Sequence, residues 1–290
     1  MKTHQCESLE SYIGLIVNLR QKAPNRELWY RGQARCEWGL LPGLWRHGID
    51  SSHTPVESVY VSGRSATALF PSEKRLLDTF TETAESNGIN CPSNYVHRLE
   101  LAQHYGLPTN LLDWSSDPLV ALFFAVSGAM DHLDRKAEKF DEERCCSVWI
   151  VEPLTVNKEF FPPKVMDSSD DRDRQLLEKI IFTNDGATIC FKGTKIGRRI
   201  VRQSGNFTYT SPRLITPLSY SDIYKKSLIR IDIPYSKVYS IAKTLKCLDL
   251  TEESLYFGNE KLDKVSRKVV NDVLSKFNDD AHRWCIQMTP

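Results

Sequence analysis

The hydrophobic and polar positions of this chain follow two periods. Leu9, Tyr12, Ile13, Ile16, Val17 and Leu19 recur at near-helical spacing and predict an amphipathic helix over residues 7–23. Similar patterns predict helices over residues 73–86, 95–105, 236–245 and 259–277. Alternation of period two predicts strands over 27–32, ending at Gly32, over 147–151, and over 227–233, ended by Pro234. Residues 188–191 fit a short strand. Residues 200–210 read as two strand pieces about Gly205, a position suited to a bulge or a close approach. Residues 46–66, rich in Ser, Gly and Thr, read as loop. So do residues 153–171, which Pro and Asp punctuate. The charged stretch 131–144 reads as a solvated helix or an excursion. No internal repeat and no low-complexity linker divides the chain.

One segment stands apart. Residues 103–118 are polar and turn-rich, and they run directly into the apolar stretch 119–126. Asp117 suits the N-cap of a helix there, and Pro118 suits its first position, where no backbone donor is missed. A helix apolar on every face is buried all round. His104, Thr109, Asp113, Trp114, Ser115 and Ser116 are therefore expected on the rim of the core, where polar groups are costly unless they are satisfied or used. Helices first and in the middle, with strands later, give an α+β fold with a helical C-terminal part.

Composition narrows the picture only a little. The chain has 290 residues, 41% hydrophobic and 26% charged, which supports a sizeable core. Its formal charge of +1 gives no support for a general affinity for nucleic acid or anionic membrane. No apolar run is long enough for a membrane span, and residues 1–7 lack a signal-peptide core. The 8 cysteines form no C-x-x-C pair, and zinc-like His spacing is missing, so no metal site is expected. The cysteine pattern suggests reduced, mostly buried thiols and a cytoplasmic protein.

Three places carry candidate chemistry. In Trp29-Tyr30-Arg31-Gly32-Gln33, a strand-end Arg either aims its rigid donor fork at an anion or pairs with a core-edge carboxylate. Gly32 would let a ligand approach the backbone. In the rim from His104 to Ser116, hydroxyls and the Asp113 carboxylate either orient a sugar or phosphate or simply cap and tie down a turn. In Arg202-Gln203-Ser204-Gly205, Gln203 either reaches into a cleft or faces outward. Lys195, Arg198, Arg199 and Arg202 form a basic cluster that reads as a solvated face or a polyanion contact. Gly193-Thr194-Lys195-Ile196-Gly197 is wrongly spaced for a phosphate loop, and no G-x-S-x-G elbow occurs.

These residues resemble a known family. Tyr30-Arg31-Gly32, then Trp38 and Pro42, then the run from Gln103 through Thr109 to Ala125, are similar to the FRG domain family. The elements 202–207 and 229–270 resemble that family's later parts, so the resemblance spans residues 7–275. Asn110 stands where the family pattern has Arg. A second, weaker similarity is to the arginine–serine–glutamate class of ADP-ribosyltransferases. It implies split antiparallel sheets with flanking helices, a core over residues 1–245, and a helical extension over 246–290 packed on the same domain.

The second resemblance also implies a chemistry. NAD would be the substrate. Arg31 would clamp it, and Asp113, Ser115 and Ser116 would form the nicotinamide pocket, with Gly32, His104, Thr109 and Trp114 as further contacts. Gln203 would stand where the class has Glu, with Arg31, Gln203 and Asp113 as the catalytic set and Glu100 as a spare carboxylate. The expected protein is a toxin or phage-defence effector that modifies a macromolecular acceptor, protein or nucleic acid, and is held in check by an antitoxin or inhibitor. Two other readings stay open. One is a non-catalytic module binding a nucleotide or protein. The other is a hydrolase using His104 and Asp113.

Overall fold

The computed structural model describes residues 1–50, 68–136, 144–159, 163–183, 188–194, 205–211, 218–219, 221, 224–255 and 260–288. Ten strands lie among these residues. They are β1 (Lys2–Gln5), β2 (Trp29–Gln33), β3 (Ile49–Asp50), β4 (Ala68–Leu69), β5 (Leu111–Ser115), β6 (Cys145–Val151), β7 (Met166–Asp167), β8 (Thr188–Lys192), β9 (Gly205–Thr210) and β10 (Leu228–Pro234). The helices are α1 (Leu9–Lys22), α2 (Glu73–Ser86), α3 (Tyr95–His104), α4 (Pro118–Lys136), α5 (Pro153–Val156), α6 (Asp171–Thr183), α7 (Tyr235–Cys247), α8 (Glu252–Leu255) and α9 (Glu260–Met288). A 3-10 turn spans Gly43–His47.

Eight strands form one mostly antiparallel sheet in the order β1-β10-β6-β2-β5-β9-β8-β7. Only the outermost pairs, β1 with β10 and β7 with β8, are parallel. The expected split sheets are thus one sheet, but its middle is narrow. β2 pairs with β6 along five positions, whereas it meets β5 only at Tyr30 and Ser115. Beyond that pair β2 and β5 diverge into a fork. On the helical face each half has its own core. Tyr30, Val148, Ile150, Ile231 and Ile233 pack with Tyr12, Leu122 and Ile241. Phe191, Phe207 and Tyr209 pack with Leu76, Phe80 and Leu99. The opposite face of the sheet's middle is filled by Trp29, Trp114 and Trp149 with Leu112 and Val151.

Most predicted elements form, with informative departures. The polar segment before α4 contains a strand, β5, because Leu111, Leu112 and Trp114 are all buried. Burial of three such side chains, two of them on one face, outweighs the turn residues that flank them. Residues 153–171 include α5 and β7 as well as loop. Residues 49–50 pair with 68–69, and residues 51–67 lie outside the described part. α9 runs to Met288 rather than stopping near 277, and its Leu262, Val265, Val269 and Val273 join the core of α2. None of the described helices is long and apolar enough to cross a membrane.

The reading of every thiol as reduced is corrected at one pair. Cys36 and Cys145 are disulfide-bonded across Cα atoms 5.4 Å apart. The chain order hides this pairing, since 109 residues separate the two. The end of β2 and the start of β6 are neighbours in the sheet, and Cys36 N–H donates to the Cys145 carbonyl at 2.8 Å. Peptide mapping without reductant should recover the segments carrying Cys36 and Cys145 as one cross-linked species. Replacing both with Ser should lower stability by about 3 kcal/mol in urea unfolding.

Gly32 has a packing role that the sequence reading assigned to a ligand. A Cβ there would lie 2.1 Å from the Ala121 carbonyl oxygen and 2.5 Å from the Ala125 nitrogen of α4. The close approach is that of a helix backbone, so Gly32 seats α4 on the sheet. Gly32→Ala should destabilise the fold by about 3 kcal/mol, read as a lower urea midpoint.

Candidate functional site

The fork between β2 and β5 gathers the polar residues of the sequence reading. Had the ladder continued past Tyr30 and Ser115, the Asp113 main chain would have bonded to β2. Instead, Arg31 Nη1 donates to the Asp113 carbonyl at 2.8 Å and lies 3.7 Å from its carboxylate Oδ2. A long cationic side chain thereby satisfies the carbonyl that the diverging strand leaves open. The Arg31 side chain is 16% exposed, and its Nε has no hydrogen-bond partner among the described residues. Burial pulls the Arg31 pKa down from 12.5 to about 10, with Asp113 raising it and Arg46 lowering it further. It remains a cation at neutral pH.

Asp113 is held in turn. Its Oδ2 accepts from Gln103 Nε2 at 2.9 Å, and Gln103 Oε1 accepts from the Thr109 hydroxyl at 2.6 Å. Thr109 Oγ1 also accepts from the Leu111 amide at 3.0 Å. Gln103 belongs to the polar motif but is not among the residues that the sequence singles out as contacts. Its signal is position: it lies in the last turn of α3, where an amide side chain can span Thr109 and Asp113. Asp113 stays open to solvent, its side chain 56% exposed, so this ion pair is partly screened.

The other expected contacts divide. Ser115 is buried, and its hydroxyl accepts from the Asp117 amide at 3.0 Å. Asp117 Oδ1 accepts from the Leu119 amide, so it caps α4. Ser116 Oγ accepts from Asn206 Nδ2 at 2.8 Å, which ties the end of β5 to β9. Two expected ligand contacts are committed to the interior. Trp114 is buried and its indole donates to Thr208 Oγ1 at 3.1 Å. Thr109 is fully buried in the chain of bonds to Gln103 and Leu111. Their alternation along β5 and its approach turns them inward. His104 ends α3 with its ring edge-on to Tyr105.

Gln203, Arg202, Lys195, Arg198 and Arg199 lie outside the described residues. The strand that follows them does not: Gly205 pairs with Ser115, which pairs with Tyr30. One row across β2, β5 and β9 therefore sets the three sequence elements side by side. Glu100 serves elsewhere, its buried Oε2 accepting from the Thr194 amide at 3.1 Å and the Thr194 hydroxyl at 2.6 Å beyond the end of β8. No group of three or more His, Cys, Asp or Glu that could hold a metal occurs among the described residues.

Asn110, the departure from the family pattern, belongs to a buried network under this site. Its amide N–H donates to Glu73 Oε1 at 2.5 Å, and its side-chain oxygen accepts from Trp45 Nε1 at 2.9 Å. Tyr95 and Tyr209 hydroxyls donate to Glu73 Oε2 at 3.2 and 3.4 Å. Burial pushes the Glu73 carboxyl above its ordinary 4.5, and these donors pull it part of the way back. The folded state thus binds the Glu73 proton more tightly than the unfolded chain does. The contribution to stability is full below the ordinary Glu range and is lost as pH rises upward from about 4.5. Glu73→Gln should reduce that fall, measured as urea midpoints between pH 4 and pH 8.

At the level of whole sequences and folds, neither a curated protein nor a solved structure matches this chain. A family model does match, over the residues that build β2, the fork and most of α4, stopping before β9: the chain carries an FRG domain at residues 26–134.

Proposed function

We propose that the protein is an NAD-consuming, ADP-ribosyltransferase-like enzyme whose substrate sits at the fork between β2 and β5. The observation that carries this reading is the Tyr30–Ser115–Gly205 row beside a buried guanidinium whose Nε has no partner among the described residues. It places an anion-binding group, a hydroxyl-bearing strand and the strand after Gln203 next to one another. The near-separation of the sheet into two halves is a second support, since a cleft at such a join suits an elongated ligand.

The reaction breaks the bond between the nicotinamide nitrogen and C1′ of the ribose. Nicotinamide leaves with the bonding pair, and the ADP-ribosyl group passes to water or to an acceptor nucleophile, whose proton goes to solvent. Positive charge builds on the ribose as the bond breaks. Arg31 would hold phosphate and keep the dinucleotide in place. Asp113, solvent-facing and fixed by Gln103, would supply a negative charge near the ribose. A Gln at 203 can accept from a ribose hydroxyl without adding charge. The acceptor would be a protein or a nucleic acid, as for a toxin or phage-defence effector kept in check by an antitoxin. A cytoplasmic place of action fits consumption of NAD. The Cys36–Cys145 bridge points the other way, toward oxidising surroundings.

A binding module of the same family is the second reading, favoured by the ion pair already closed between Arg31 and Asp113. The test uses NAD labelled in the nicotinamide ring, incubated with the pure protein and with cell extract. Nicotinamide release is expected, falling on the order of a hundredfold in Arg31→Lys at a temperature where circular dichroism shows the variant folded. Calorimetric binding of ADP-ribose without release would establish the binding module instead. Neither binding nor release would remove both readings.

A further inference from the structure

The loop that leaves β2 has a short outer stretch, and a disulfide holds its middle. Ala34 is buried before this stretch, and Leu40 and Leu41 are buried after it. Between them Arg35, Cys36 and Trp38 are half-buried and Glu37 is exposed. Both ends are fixed. The Ala34 carbonyl accepts from the Tyr235 hydroxyl at 2.8 Å, and the Leu40 amide donates to Ser219 Oγ at 2.9 Å. Arg35 pairs with Glu37 at 2.6 Å and lies over the Trp38 ring, so the strap partly satisfies itself. Trp38 also meets the His132 ring of α4 edge-on. Cys36, in the middle, is bonded to Cys145, which is half-buried at the start of β6.

Beneath the strap the sheet is polar. Gln33, Ser147 and Asp232 form one buried row across β2, β6 and β10. Gln33 Nε2 donates to the Gly39 carbonyl at 3.1 Å, and Arg230 Nη1 donates to the Cys36 carbonyl at 3.1 Å. Arg230 Nη2 also donates to Asp232 Oδ2 at 2.8 Å, while Ser147 Oγ has no hydrogen-bond partner among the described residues. A hydrogen bond exchanged for one to water changes stability little, whereas exposing an apolar underside costs in proportion to its area. Lifting Arg35–Gly39 uncovers mainly polar groups, and the covalent bond is its firmest tie. Among the described cysteines, Cys247 is exposed and Cys91 half-buried, and both are free. Accessible thiols persist where external thiols keep them reduced, and an accessible disulfide exchanges there.

We propose that the Cys36–Cys145 bridge is a reversible thiol switch. Closed, it locks the strap Arg35–Gly39 onto the polar row. Open, it releases the strap while the rest of the fold stays intact. The thiolate of an external thiol attacks one sulfur of the bridge, the S–S bond breaks, and the other sulfur leaves as a thiolate that takes a proton from solvent. A second external thiol attacks the mixed disulfide and frees the remaining cysteine. The protein gains two electrons and two protons, and the external thiols become a disulfide. The strap also bears on the strand that carries Arg31. Trp149 lies in register with both Arg31 and Arg230, and its indole donates to Gln33 Oε1 at 2.7 Å. Release of the strap removes a partner from Gln33 and from Arg230. The switch does not depend on the NAD reading.

Hydrogen exchange of the full chain, read by mass spectrometry with and without reduced glutathione, tests this. With glutathione, alkylation should tag both Cys36 and Cys145. The amides of residues 35–39 should then exchange about tenfold faster, at times when β6 and α4 are still protected. Oxidised glutathione should reverse both changes. Cys36→Ser combined with Cys145→Ser should show the fast exchange in either buffer. A bridge that stays closed in glutathione, or that opens only as β6 and α4 also exchange, is a staple of the whole fold and overturns the inference. So does an opened bridge that leaves exchange at 35–39 unchanged, or a double variant whose exchange there still responds to glutathione.

Discussion

The bond from Arg31 to the Asp113 carbonyl sets the character of the middle of this molecule. A sheet that narrows to one residue pair leaves main-chain groups open on both diverging strands, and each needs a partner from water or from a side chain. Arg31 answers that carbonyl with a side chain rather than with a neighbouring backbone. The fork can then stay open without an orphaned acceptor. The same group that stabilises the split is a buried cation at its mouth, so structure and candidate chemistry share one residue.

The two half-sheets behave accordingly. Each has its own helices on the helical face, with Tyr12, Leu122 and Ile241 over the β2 half and Leu76, Phe80 and Leu99 over the β5 half. The three tryptophans on the opposite face bridge them, since Trp29 and Trp149 belong to the first half and Trp114 to the second. Gly32 brings α4 onto the sheet so closely that no side chain fits between. α4 begins directly after β5, so its seating also fixes the direction in which β5 leaves the join.

How much of this was legible in the sequence depends on which signal each residue carries. Long periodic elements were: Glu73–Ser86 reads as a helix from its spacing alone, and Asp117 with Pro118 marks the start of α4 from capping chemistry. β5 was hidden, because its five residues contain Asp and Ser and are flanked by Asn, Pro and Ser, while the burial of Leu112 and Trp114 comes from tertiary packing. Arg31 announced itself through its place between Tyr30 and Gly32. Gln103 did not, because a lone amide has no periodicity, and what sets it on Asp113 is the docking of α3 against β5. Thr109 and Trp114 show the opposite case. Their polar atoms suggested ligand contacts, but those atoms serve buried partners.

The loop from β2 to the 3-10 turn is tied down along its length. The Ala34 carbonyl accepts from the Tyr235 hydroxyl at 2.8 Å, and Cys36 is tied to Cys145 by the disulfide. The Cys36 carbonyl accepts from Arg230 at 3.1 Å, the Gly39 carbonyl from Gln33 at 3.1 Å, and the Leu40 amide donates to Ser219 at 2.9 Å. Leu44 then lands on Thr109. Each tether removes freedom that an unbound loop would otherwise lose when a ligand orders it.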